Sequence, residues 1–176
     1  MINKVKRWNK KGQTPKIVLP EGNSRKVLKA VQQVLKEGFA EIIILGDRKK
    51  VLERAAQDEL SLIETCQIFK PIEHPDFKRF TNEYYKLKQR KGVLHSEVDL
   101  ILEDPYYFSA MMVQMGEADG VVSGASQNYA SCVRPILEII GRPEHKVVSG
   151  LNIVLKGDRK IFLADTTMMI DPTAEQ

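Results

Sequence analysis

"KIVLPEGNSRKVLKAVQQVLKEGFAEIIILG", Lys16 to Gly46, decides the fold. Ile17 to Leu19 is a short apolar run that stops at Pro20 and Gly22, which is how a strand and its exit turn are composed. The period then changes. Val27, Val31, Val34 and Leu35 fall on one face of a helix, with Asn23 or Ser24 as its cap and Gly38 as its stop. "EIIIL", Glu41 to Leu45, is a continuous β-rich run bounded by Gly46, as expected of a strand buried on both faces. Strand, helix and strand in this order predict a parallel pair.

The alternation continues outward. A charged helix is expected over Asp47 to Gln57, then a short strand near Cys66 to Phe69. Phe77, Phe80, Tyr84 and Leu87 form the stripe of a helix ending at Gly92. The next helix, from about Pro105 to Gly116, carries Met111, Met112 and Met115, which read as adaptable core filler. "DGVVSG", Asp119 to Gly124, reads as a strand. "QNYASCVRPILEIIG" follows as a helix, with Pro135 either near its first turn or at a kink. "HKVVSGLNIVL" and "RKIFLAD" are two strands joined at a Gly157-Asp158 hairpin turn, a departure from the earlier rhythm. The expected class is α/β, a three-layer α/β/α arrangement on a mostly parallel sheet. Residues 1–14 read as a basic leader or linker, 15–142 as a first α/β/α subdomain, and 143–176 as the truncated start of a second.

Composition bounds the function. The 176 residues are 43% hydrophobic and 28% charged, enough for one substantial core and too polar for a membrane protein. No apolar run approaches the roughly 20 residues of a membrane span, and the N-terminus lacks a signal peptide's apolar segment, so a cytoplasmic location is expected. The net charge of +4 is local: six of the 27 basic side chains lie in residues 1–16 with no acid, and the remaining 21 stand against 23 acidic groups. A basic leader on a mildly acidic body does not predict nucleic-acid binding. Cys66 and Cys132 have no CxxC spacing and read as buried reduced thiols. His74, His95 and His145 have no metal-ligand spacing and read as surface or cap residues, so no metal is expected.

Two loops follow strands. Ligands of parallel α/β sheets sit beyond the carboxyl ends of the strands, where helix N-termini favour anions. In the first loop, Ser123-Gly124-Ala125-Ser126, the small residues permit a close approach and the two hydroxyls can donate. Arg134 can add a two-pronged phosphate contact. The same spacing also fits a tight turn with Ser126 as helix cap and Arg134 on a solvated face, and spacing alone leans that way. The second loop, "LPEGNSRK", offers Arg25 after a Gly-Asn-Ser turn, and again a capped helix with surface cations explains it as well. Neither loop has the Gly-Lys-Ser/Thr of a Walker A motif or a GxGxxG fingerprint.

Four blocks in order, "KIVLPEG", "ADGVVSGA", "RPILEIIG" and "DPTAEQ", resemble the phosphate acetyl/butyryl transferase family over about Pro15 to Gln176. "YYFSAMMVQMGEADGVVSG", "KQRKG", "FLADTTMMIDPTAEQ" and the leader resemble more closely the transferase-like domain fused behind the catalytic domain of bacterial NADP-dependent malic enzymes. The resemblance implies two α/β/α subdomains of the isocitrate/isopropylmalate dehydrogenase type with the active site between them. It also implies acyl transfer between coenzyme A and phosphate: acetyl-CoA plus phosphate gives acetyl phosphate plus CoA. The implied alternative is an acetyl-CoA-responsive, non-catalytic regulatory and oligomerising domain of a malic enzyme. On either reading acetyl-CoA and phosphate are the small-molecule partners, no cofactor is held tightly, and the chain is a homo-oligomer or part of a longer polypeptide. Two family arginines that handle CoA or phosphate match Arg134 and a position near Lys88, with Arg90 and Lys91 close by. A lysine does not replace a two-pronged arginine. The family's catalytic serine and aspartate belong to a later segment with no counterpart here, so no catalytic residue is assigned. "DPTAEQ" itself places Asp171 as cap, Pro172 at the first helical position and Glu175 in the first turn, a helix start without a body.

Overall fold

A computed structural model describes residues 14–141 and 148–164. The expectations for the leader, His145 and the Asp171 helix start lie outside the described residues. The chain divides into two compact units, the first ending at Ile140 and the second beginning at Gly141.

The first unit is an α/β sandwich. Strands β1 (Lys16–Leu19), β2 (Glu41–Leu45), β3 (Gln67–Phe69) and β4 (Gly120–Val121) form one sheet in the order β3-β2-β1-β4. All three pairings are parallel. Ile17 pairs with Ile42 and Val18 with Ile43, so alternate residues of both strands fall on opposite faces. Val18, Ile43 and Leu45 supply one face. Leu19, Ile42, Ile44 and Ile68 supply the other.

Among the described residues six helices cover the two faces: α1 (Arg25–Glu37), α2 (Arg48–Gln57), α3 (Phe77–Lys88), α4 (His95–Glu103), α5 (Pro105–Gln114) and α6 (Tyr129–Ile139). Val27, Leu28 and Val31 of α1 and Val51 and Ala55 of α2 pack on the Leu19 face. The Val18 face receives Phe80 and Tyr84 of α3, Leu102 of α4, Phe108, Met111 and Met112 of α5, and Ile139 of α6. Phe80 and Phe108 stack with ring centroids 4.9 Å apart. Each such side chain, fully buried, stabilises the fold by about 1.5–3 kcal/mol relative to exposure. Met111 and Met112 fill the core as expected. Both cysteines are reduced and buried.

The local signals act where they were read. Gly38 ends α1 in the left-handed region, with φ 65°. Asp47 caps α2, its carboxylate accepting the Lys50 N–H at 3.2 Å. Three details differ from expectation. Ser24 stands at the α1 cap position without a side-chain capping bond. Helix α4 occupies a stretch assigned to no element, although Glu97 accepts the Leu94 N–H at its start and Val98 and Leu102 keep helical spacing. Pro135 lies in the interior of α6. It is buried there, so packing rather than propensity holds it.

The second unit is the antiparallel hairpin β5 (Leu151–Lys156) and β6 (Arg159–Ala164), with Ile153 opposite Phe162. Its turn lies at Gly157, φ 57°, as the sequence indicates. Ile153, Val154, Ile161 and Phe162 are exposed. Among the described residues no helix is long and apolar enough to cross a membrane.

Candidate functional site

The loops after β1 and β4 emerge side by side because those strands are parallel neighbours, with Ile17 opposite Gly120 and Val18 opposite Val121. The β1 exit carries Pro20, Glu21 and Gly22. Gly22 has no alternative: a Cβ there would stand 2.6 Å from both the Ile44 side chain and the Leu45 carbonyl oxygen. Glu21, beside it, is 6% exposed.

That buried carboxylate organises the Ser123 to Ser126 loop. Its Oε2 accepts the N–H groups of Gly124 at 2.9 Å and Ala125 at 3.0 Å. Its Oε1 accepts the Ser126 N–H and the Ser126 hydroxyl, each at 2.7 Å. Burial by itself pushes this carboxyl up, but the four donors outweigh it and hold the pKa below the usual carboxylate range. The expected role of Ser126 as helix cap is therefore corrected. Asn128 caps α6, accepting the Ser131 N–H at 2.9 Å, because the Ser126 hydroxyl is already committed to Glu21.

Beside the loop lies a cavity of about 530 Å³ lined by Val121, Val122, Ser123, Gly124, Gln127, Tyr129, Cys132, Val133 and Ile136. Gly124 adopts φ 98°, which places a residue without a side chain against that space. Tyr106 of α5 also hydrogen-bonds the Glu21 carboxylate. Burial first, then the Glu21 charge and Cys132, push its hydroxyl pKa up.

Arg134 is elsewhere. It does not line the cavity, and its Nε donates to Oε1 of Glu138 at 2.7 Å, toward the C-terminal end of α6. Glu138 Oε2 accepts the Tyr107 hydroxyl at 3.2 Å. Lys88, at the end of α3, is 4% exposed; burial lowers its ammonium pKa, and the Glu138 carboxylate opposes that fall. Glu138 itself is raised by burial and lowered by more through Arg134, Tyr107 and Lys88, ending below its usual range. Tyr84 stands in the same group, pushed up to about 12 by burial and the Glu138 charge.

The structure thus sorts the sequence-derived candidates into two groups. Gly124, Ala125 and Ser126 donate to Glu21, with Ser123 preceding them in the cavity wall, while Arg134 and Lys88 gather at Glu138. Arg25 joins neither group and pairs with Asp58, Nε to Oδ2 3.1 Å, at the end of α2. Arg90 is exposed on the turn after α3. Sequence reasoning missed Glu21 and Glu138. Glu138 was signalled by its i,i+4 spacing from Arg134. Nothing local marked Glu21, whose partners in the loop lie more than 100 residues away. Among the described residues no group of histidine, cysteine and carboxylate side chains is placed to hold a metal ion.

Comparison with known proteins gives one consistent result. The family model described as phosphate acetyl/butaryl transferase matches residues 1–176. Phosphate acetyltransferase of Corynebacterium glutamicum is 37% identical over 161 residues, covering 91% of this chain and 49% of that protein. The phosphate acetyltransferase of Thermoanaerobacterium thermosaccharolyticum is 36% identical, with 94% and 52% covered. Among solved structures, a phosphotransacetylase from Streptococcus pyogenes superposes with a TM-score of 0.81 at 31% identity, covering 92% of this chain and 50% of its own. The chain thus spans about half the length of these relatives.

Proposed function

We propose, because this chain belongs to the phosphate acetyl/butaryl transferase family, that it serves acyl transfer between coenzyme A and phosphate and contributes the anion-binding part of that site. The observation that carries this reading is the convergence of Arg134 and Lys88, from two different helices, around the single carboxylate of Glu138. Arg134 matches one position at which the family resemblance expects a cation for CoA or phosphate, and the other such position falls near Lys88. Two cations against one carboxylate leave a net positive charge for an anionic ligand. Among the described residues Arg134 is engaged only through Nε, so its two terminal nitrogens keep the fork geometry that suits phosphate. The cavity beside Ser123 and Gly124 offers mixed polar and apolar walls for the rest of the ligand.

A second reading, in which the site senses acetyl-CoA without turnover as part of a malic enzyme, uses the same binding residues and needs no base. Deprotonating the CoA thiol requires a base matched to working pH. Glu21 and Glu138 are held below the ordinary carboxylate range, and burial raises Tyr106. None is poised as that base.

The test is CoA-dependent consumption of acetyl phosphate by the purified protein, with CoA binding followed by calorimetry. Saturable turnover supports catalysis. Binding without turnover is what the anion-binding part of the site shows on either reading, and absence of CoA binding contradicts both.

A further inference from the structure

Strand β4 is the edge of the sheet and pairs with β1 over only two residues. So short a ladder leaves the direction of the exit loop underdetermined. Carboxylates act at both of its ends. Before the strand, Asp119 Oδ2 accepts the Lys16 N–H at 2.7 Å, and the Asp119 N–H donates to the Lys16 carbonyl at 2.8 Å. After it, the Val122 N–H reaches the Val18 carbonyl at 3.2 Å, and the next donors, from Gly124, Ala125 and Ser126, all go to Glu21.

We propose that Glu21 is the positioning residue of the 123–126 loop: its carboxylate, carried on the exit of β1, continues the β1–β4 pairing and withdraws the loop's amides from any anionic ligand. Three successive N–H groups turned to one side form the kind of concavity that binds phosphate in other loops. Here the protein's own carboxylate fills it. Because that group is buried and negative, it also repels a second anion from the same donors. Resting on the acyltransferase reading, the consequence is a division of labour: the loop gives the site its shape, and side-chain cations such as Arg134 take the ligand's phosphate. Tyr106 of α5 hydrogen-bonds this carboxylate and interacts in turn with Cys132 of α6 and with Asp104, while Lys26 of α1 lines a neighbouring cavity together with Glu21. The Glu21 titration is followed at its own carboxyl carbon, which separates it from that of Asp104, the cap of α5.

The experiment uses the ligand-free, isotopically labelled chain, and reads amide hydrogen exchange at Gly124, Ala125 and Ser126 against Ile43 and Ile44 in the core. Glu21→Gln keeps size but turns an amide nitrogen toward N–H donors. The three loop amides should then exchange on the order of 10- to 100-fold faster, while Ile43 and Ile44 are unchanged. Glu21→Asp, which keeps the charge, should restore part of the protection. Equal exchange in wild type and Glu21→Gln would overturn the proposal. The wild-type chain decides the question even if the variant does not fold: the three amide proton shifts should follow the Glu21 carboxyl titration, and shifts that ignore it overturn the clamp. Inorganic phosphate should leave these amides unmoved, and phosphate-induced shifts at all three would also overturn it. Failure of CoA to bind would count against the acyltransferase reading alone, since the exchange and titration readouts use no ligand.

Discussion

Arg134 and Glu138 stand one turn apart on α6, Nε to Oε1 2.7 Å, and this pair directs the guanidinium away from the loop preceding its helix and toward the carboxylate it shares with Lys88. The cation is thereby held in one place without being consumed, because a single nitrogen is engaged.

Glu138 should make stability depend on acid pH. Its folded pKa lies below the ordinary 4.5, so its contribution is present above that value and is lost as pH falls through the folded one. Thermal scans across the acidic range should show wild type losing more melting temperature than Glu138→Gln. Since Arg134 is 74% exposed, the difference should be small. Parallel curves for the two proteins would remove this role.

Lys88 predicts the opposite sign. Burial lowers its pKa, so the ammonium opposes folding at neutral pH, and the penalty disappears as pH rises through the lowered value toward 10.5. Lys88→Met should raise the melting temperature at neutral pH by ~2–4 °C, with the gap closing at alkaline pH. It should also weaken CoA binding, which would mark a residue kept for its charge at some cost in stability. A destabilised Lys88→Met protein would contradict this.

Gly22→Ala tests the close approach at the β1 exit. With a backbone oxygen only 2.6 Å from the new Cβ, the chain must shift, and the expected loss is about 1–3 kcal/mol in chemical denaturation. Because Glu21 is its neighbour, amide signals of Gly124 to Ser126 should move as well. An unperturbed variant would show that the loop relaxes freely.

Cys66 should be slow to alkylate in the folded protein, since burial pushes its thiol up to about 11 and leaves little thiolate at neutral pH. Rapid modification without denaturant would contradict that burial.

The sheet and most helices were legible because their signals are local. The Lys16 to Gly46 stretch holds a period change, a stop glycine and a continuous apolar strand. Helix α4 was legible in principle, through Val98 and Leu102, but its nine residues fall between two stronger patterns. Strand β4 was legible in position and not in extent: Val122 is 59% exposed, and ladder pairing ends before it. The site was legible in its residue types and not in its grouping. A loop of small residues followed by an arginine says that an anion suits the place. It does not say that the anion is the protein's own Glu21, 103 positions earlier, because only the β1–β4 pairing brings them together. The turn of Arg134 toward Glu138 was legible in their i,i+4 spacing, whereas Tyr107 and Lys88, which join them at that carboxylate, come from two other helices.

The most direct test of the account is calorimetric titration of coenzyme A into the wild-type chain and Arg134→Ala, with Arg134→Lys as the graded control. The account predicts measurable binding to wild type and a loss on the order of tenfold or more in Arg134→Ala. Partial recovery is expected in Arg134→Lys, which keeps the charge and loses the fork. The three melting temperatures should be nearly equal, since the side chain is largely exposed. Equal affinity for coenzyme A in all three proteins would contradict the account and return Arg134 to an ordinary surface ion pair.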